Sequence, residues 1–189
     1  MRLKMNKRLV ALGLACAVLF GSAVPVMDAS VVEAKSALEK KTEKIVKKQT
    51  NATEEVETNL KKLFTYVEKN YNYKRVVGFK ASKGWEKTYA KEMISTKKGS
   101  CYHYAALYAF LAKKASGYPV RICIGKTNGF NASVWQPHAW CEIKIKGTWY
   151  VCDPNLDKYA ADSKGVYFMK KFKSVKKNYK RSQKVNVKF

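Results

Sequence analysis

Three residue types in this chain could do covalent chemistry together, and they are scarce enough to be followed one by one. Cys101 lies in KKGSCYHYAALYAFLAKKASGYPVRICIG (97–125), directly after a Gly-Ser turn and before a long amphipathic segment. A cysteine in the first turn of a helix meets unpaired backbone N–H groups and the positive end of the dipole, and both favour the thiolate. The chain has 2 histidines, His103 and His138. His138 follows Pro137 at the end of a polar loop, where a side chain can project into a cleft, and it opens the run HAWCEIKIKGTWYVCD that Asp153 closes. An imidazole beside a thiol can hold it as a thiolate–imidazolium pair, and a carboxylate fixes the tautomer and stabilises the imidazolium. The backbone N–H of Cys101 points at the same locus and can serve half an oxyanion hole. The chemistry so assembled is attack on a carbonyl carbon.

Each residue taken alone has a plainer explanation. A small thiol packs well in a core, a loop histidine can simply be satisfied by neighbours, and Asp before Pro often opens a turn. His103, two residues after Cys101 on the same helix, projects at a wide angle from the thiol and reads as a local packing or surface residue. Joint placement decides the matter, so the elements that must bring the three together come next.

The period of HAWCEIKIKGTWYVCD is that of two strands joined at Lys146-Gly147. That turn puts residue 140 across from residue 153 and His138 close to residue 155. His138 and Asp153 are then within diagonal reach on adjacent antiparallel strands. Trp140, two along on the same face as His138, reads as core beneath the site. Upstream, VRICIG (120–125) is a short strand, and a helix from about Cys101 to Lys114 presents Ala105, Tyr108, Leu111 and Ala112 on one face. Two further helices are expected before it. One follows Asn51, with Thr53 as cap and Val56, Leu60, Leu63, Phe64 and Val67 as its apolar stripe. The other is WEKTYAKEMIS (85–95). Between them NYNYKRVVGFKASKG is a turn-rich connection. Helices first and an antiparallel sheet after them make an α+β fold. The segments outside this core are residues 35–50, a charged linker or frayed helix, and residues 163–189, a basic C-terminal segment that could be removed from a folded core of 51–162.

Residues 1–34 combine a charged start, an apolar stretch and small residues at 32–34, the pattern of a secretory signal peptide. The protein is therefore expected to be secreted or attached to the cell surface. Of 5 cysteines, Cys16 leaves with that leader. Cys101, Cys123, Cys141 and Cys152 remain; they read as free thiols, with Cys123–Cys141 and Cys141–Cys152 the bridges to check. The net charge of +24 favours polyanions. Residues 163–189 hold ten basic and no acidic side chains, interleaved with Tyr167, Phe168, Phe172, Val175 and Tyr179. They read either as a solvated face or as a docking surface for an anionic cell-wall polymer or membrane surface; no nucleic-acid partner is expected. No metal or cofactor is expected either, because the two histidines lie far apart and there is no Cys-x-x-Cys.

The blocks GSCYHYAALYAFLAKKASGYPVRICIG and HAWCEIKIKGTWYVCDPN, in that order, resemble the core of the transglutaminase-like superfamily. The likeness covers roughly residues 60–156. It implies a papain-like fold, with the nucleophile's helix packed on an antiparallel sheet, and roles for Cys101 as nucleophile, His138 as base and acid, and Asp153 as orienting acid. It also calls for an upstream residue to complete the oxyanion hole, with Trp85 and Tyr89 as candidates that could equally be core. Asp-Pro-Asn stands where Asp-Pro-Thr or Asp-Pro-Ser is commoner, and Cys141 follows His-Ala-Trp, which puts a second thiol near the site. The expected activity is cysteine-dependent hydrolysis of an amide or peptide bond through a thioester. The alternatives are a cross-linking transglutaminase and a wall-associated binding module that keeps the fold without turnover.

Overall fold

A computed structural model describes residues 35–161 and 163–189; the expected signal peptide of residues 1–34 lies outside the described residues. The first helix, α1 (Ala37–Gln49), is capped by Ser36, whose hydroxyl accepts the Glu39 N–H at 3.2 Å. Residues 35–50 are thus neither linker nor frayed end. Their few apolar side chains fall on one face, where Leu38 is buried and Ile45 and Val46 pack against the core, and Lys114 bonds Glu39 at 2.9 Å. α2 (Val56–Asn70) buries the expected Leu60, Leu63, Phe64 and Val67. Thr53 does not cap it: the Thr53 hydroxyl turns back to Asn51, and Asn59 closes the turn by accepting the Asn51 N–H at 3.0 Å.

Within the connection that follows, β1 (Asn72–Tyr73) pairs in parallel with β2 (Lys98–Gly99), which lies just past α3 (Trp85–Thr96). α4 (Cys101–Ser116) is the central helix. From Cys101 to Ala112 every residue is buried, because α1, α2 and α3 cover it on one side and the sheet on the other. A helix apolar all round belongs at the centre of a fold.

The sheet is antiparallel throughout and has the order β6-β5-β4-β3-β7. Its strands are β3 (Val120–Thr127), β4 (Gln136–Ile145), β5 (Thr148–Cys152), β6 (Lys170–Lys171) and β7 (Tyr179–Asn186). The β4–β5 hairpin turns at 146–147 with Cys141 opposite Cys152, the register that the sequence predicts. Ile122, Ala139, Cys141, Ile143 and Cys152 face the helices. Cys123, Trp140 and Val151 face the other way, into a second cluster with Leu156, Tyr167, Val175 and Tyr179. After β5 the chain forms a short helix, α5 (Pro154–Tyr159), and a single turn, α6 (Phe172–Val175), precedes β7.

Residues 163–189 are consequently not an appendage. β7 pairs with β3 along its length, and Val187 and Phe189 return to the helical core. Gly125 makes this possible. A Cβ there would lie 1.9 Å from the Lys180 carbonyl oxygen, at the point where the pairing register shifts between Ile124 and Gly125.

Candidate active site

Cys101 is the first residue of α4 and 6% exposed. Its position is held from behind by a side chain of its own helix. His103 Nδ1 accepts the Ser100 backbone N–H at 3.2 Å, and its Nε2 lies 3.1 Å from Glu92 of α3. This satisfies a backbone group at the helix start that would otherwise lack a partner. Burial pushes the His103 pKa down, against the pull of Glu92. The glycine two residues before the cysteine has a steric reason, because a Cβ at Gly99 would meet the His103 Cβ at 2.5 Å. His103 is therefore a packing residue, as its angle from the thiol suggested.

His138 and Asp153 meet across the hairpin, each 1% exposed. The imidazole Nε2 lies 2.7 Å from Asp153 Oδ2. A carboxylate only accepts, so Nε2 carries the proton and Nδ1 is the nitrogen left for the thiol. Asp153 is also the N-cap of α5, with Pro154 at the first helical position and its Oδ1 accepting the Leu156 N–H at 3.0 Å. Burial of the imidazole opposes its protonation. The Asp153 carboxylate, by charge and hydrogen bond, and then Cys101 outweigh that cost, and the His138 pKa is pushed up to about 10. Beneath the pair, Trp140 is fully buried with its ring 6.5 Å from the His138 ring and nearly parallel to it. The three sequence-predicted residues thus converge, with the imidazole between the Cys101 sulfur and the Asp153 carboxylate.

A cavity of about 350 Å³ opens beside them, lined by Tyr73, Cys101, Phe130, Gln136, Pro137, His138, Asn155 and Tyr159. A second, of about 760 Å³, reaches Cys101 from the other side and is walled by Arg75, Val77, Phe79 and Tyr102. Tyr73, Gln136 and Pro137 border both. Exposed large apolar side chains gather here: Tyr73 and Tyr159 line the first cavity and Val77 the second. Asn155 is buried with both amide atoms unpaired, which is costly unless something fills the cavity.

Sequence reasoning missed Tyr73. Its β1 residue pairs with Gly99, and its N–H donates to the Tyr159 hydroxyl at 2.9 Å, so it stands at the mouth of the helix start. Burial and the charge of Cys101 push its pKa up, keeping the phenol protonated. A two-residue bridge has no period to read, and the aromatic run NYNY gave no other sign. The proposed alternatives lie elsewhere. Trp85 packs among Phe79, Tyr89 and Tyr102, and Tyr89 stacks on His103.

Cys101, Cys123, Cys141 and Cys152 are all free. Cys123 and Cys141 face opposite sides of the sheet, which excludes a bridge between them. Cys141 borders neither cavity beside Cys101, so it is not a second thiol at the site, and burial pushes its pKa up. Among the described residues no cluster of three or more His, Cys, Asp or Glu could hold a metal ion.

Comparison with known proteins finds partial likenesses. Similar folds occur in a candidate cysteine protease from Cytophaga hutchinsonii (18% identity, TM-score 0.49, covering 79% of this chain and 50% of that one). They occur also in a TGase (16%, 0.42, 67% and 35%) and in an arylamine N-acetyltransferase from Bacillus cereus (16%, 0.40, 67% and 51%). The chain spans about half or less of the length of these structures. None of the curated proteins matches it. The family model of the transglutaminase-like superfamily matches residues 40–154, more than half of the chain and all three site residues, and the protein belongs to that superfamily.

Proposed function

We propose that this protein is an exported cysteine hydrolase that cleaves an amide or peptide bond. The reading rests on one observation: His138 is held 2.7 Å from Asp153 while its ring shares a cavity with the thiol at the start of α4. In the proposed reaction the Cys101 thiolate attacks the carbonyl carbon. The carbonyl electron pair moves to oxygen, which accepts from the Cys101 N–H and the Tyr73 hydroxyl. The C–N bond then breaks and His138 gives its Nδ1 proton to the leaving amine, which leaves a thioester. Water attacks the thioester carbonyl and passes a proton to His138; the C–S bond breaks, and the acid and the Cys101 thiolate are released, which restores the thiolate–imidazolium pair. Water is assigned this step, rather than a lysine amine, because a core of this size leaves little surface to hold a second protein. The two cavities that meet at Cys101, the first mainly apolar and the second mixed, suit an extended peptide passing across the sulfur.

Iodoacetamide near neutral pH tests the site without knowledge of the substrate. We expect one thiol, Cys101, to alkylate far faster than a free cysteine, Cys101→Ser to abolish the fast phase, and His138→Ala to slow it about 100-fold or more. A Cys101 no faster than free cysteine would leave a binding module with a retained fold. Cell-surface attachment belongs to the same proposal: nine of the ten basic side chains of 163–189, all but Lys170, are exposed and could meet an anionic wall polymer or membrane surface.

A further inference from the structure

The Asp153 carboxylate receives more than the triad requires. Its Oδ1 takes the Leu156 N–H. Its Oδ2 takes both His138 Nε2 and the hydroxyl of Tyr179, which donates at 2.9 Å. Tyr179 is the first residue of β7 and is buried, so water does not reach this oxygen. The ring is fixed on several sides. Trp140 lies 4.6 Å away, centroid to centroid. Two residues on, Arg181 donates to Glu142 Oε1 at 2.9 Å, and the same oxygen takes Trp140 Nε1 at 2.9 Å. Just before it, the Asn178 carbonyl accepts from the Thr127 hydroxyl at 2.7 Å.

We propose that Tyr179 is a positioning residue for the triad: its hydroxyl holds Asp153 Oδ2 in the plane of His138 and moderates the carboxylate's pull on the imidazolium. The inference rests on the hydrolase reading above and adds the C-terminal strand to the machinery. The other titratable groups facing Asp153 are Tyr167 from the segment before β6, Cys152 from β5 and Cys141 from β4, and Cys101 faces His138 from α4. Among the described residues, none of these donates a hydrogen bond to the carboxylate; beside His138, Tyr179 is the titratable group that does.

The test follows the pH dependence of Cys101 alkylation by iodoacetate in the full chain. The reagent's carboxylate favours the thiolate–imidazolium pair, so its rate falls as His138 loses its proton. Tyr179→Phe removes the donor and keeps the ring. The alkaline limb should move upward by roughly half to one pH unit, less than the about one to two units of a hydrogen bond lost by the titrating group itself, because Tyr179 acts on His138 only through Asp153. Site-specific replacement of Tyr179 by a fluorinated tyrosine, a stronger donor of the same shape, should move the limb downward, and it serves also if the Phe variant does not fold. An ordered shift from Phe to Tyr to fluorotyrosine supports the proposal. Superimposable limbs, whatever happens to the melting temperature, overturn it. A wild type that shows no fast thiol at all would instead defeat the hydrolase reading.

Discussion

At the scale of single residues, the site turns on a contest over one proton. A fully buried imidazole should be neutral, since desolvation penalises its charged form. Here the adjacent carboxylate and thiol reverse the outcome and the His138 pKa rises to about 10. The sign follows directly. A group whose pKa is raised on folding contributes stability that is complete below its ordinary range and is lost as pH climbs through the raised value. The ion pair, and with it the fast reaction of Cys101 with iodoacetate, should therefore persist through neutral pH and fail towards pH 10. Asp153→Asn removes the charge and leaves burial in command. The alkaline limb of the iodoacetate profile should then drop by about two pH units or more. A limb that stays in place would show that Asp153 does not govern His138.

At the scale of elements, what the sequence revealed tracks how each element is held. The hairpin that joins His138 to Asp153 was legible because its turn sets the register, and the register sets the neighbours. α4 was legible because its apolar residues recur along the helix. Neither α1 nor β7 had such a pattern. α1 buries few side chains beneath a charged run. β7, YKRSQKVN, buries little beyond Tyr179 and is held by backbone pairing to β3. α5 escapes sequence reading because a helix of 6 residues carries no period. Tyr73 and Tyr179 stayed hidden for the same reason, since their roles arise from contacts with residues far along the chain. The pairing that brings Tyr179 in depends on Gly125, where any side chain would collide with the Lys180 carbonyl. Gly125→Val should thus destabilise the fold by about 1–3 kcal/mol, the usual cost of overpacking, seen as a lower urea midpoint. It should also shift the iodoacetate limb as Tyr179→Phe does, because a displaced β7 carries its hydroxyl away. Loss of stability with an unmoved limb would separate the strand from the site.

At the scale of the whole molecule, the net charge of +24 and the topology pull the C-terminal segment in two directions. Lysines along an edge strand block unwanted pairing with another chain, which would explain Lys180 and Lys184 on β7 without any partner. Lys171, Lys173, Lys176 and Lys177 are different: all are exposed, Lys171 at the end of the two-residue edge strand β6 and the others on the turns between it and β7, where no long strand needs guarding. Removing 178–189 cannot decide the question, since the loss of β7 takes Tyr179, Val187 and Phe189 with it; that truncation should be insoluble or unfolded by circular dichroism. Changing the four lysines to glutamine spares every core contact. The variant should melt within a few degrees of the wild type and keep its fast thiol, because surface charges contribute little to folding. Its retention on purified cell walls should weaken at low salt, and its affinity should fall less steeply with added salt, since each lost phosphate contact reduces that slope. Equal retention and an equal salt slope would assign the whole basic face to solvation and edge protection.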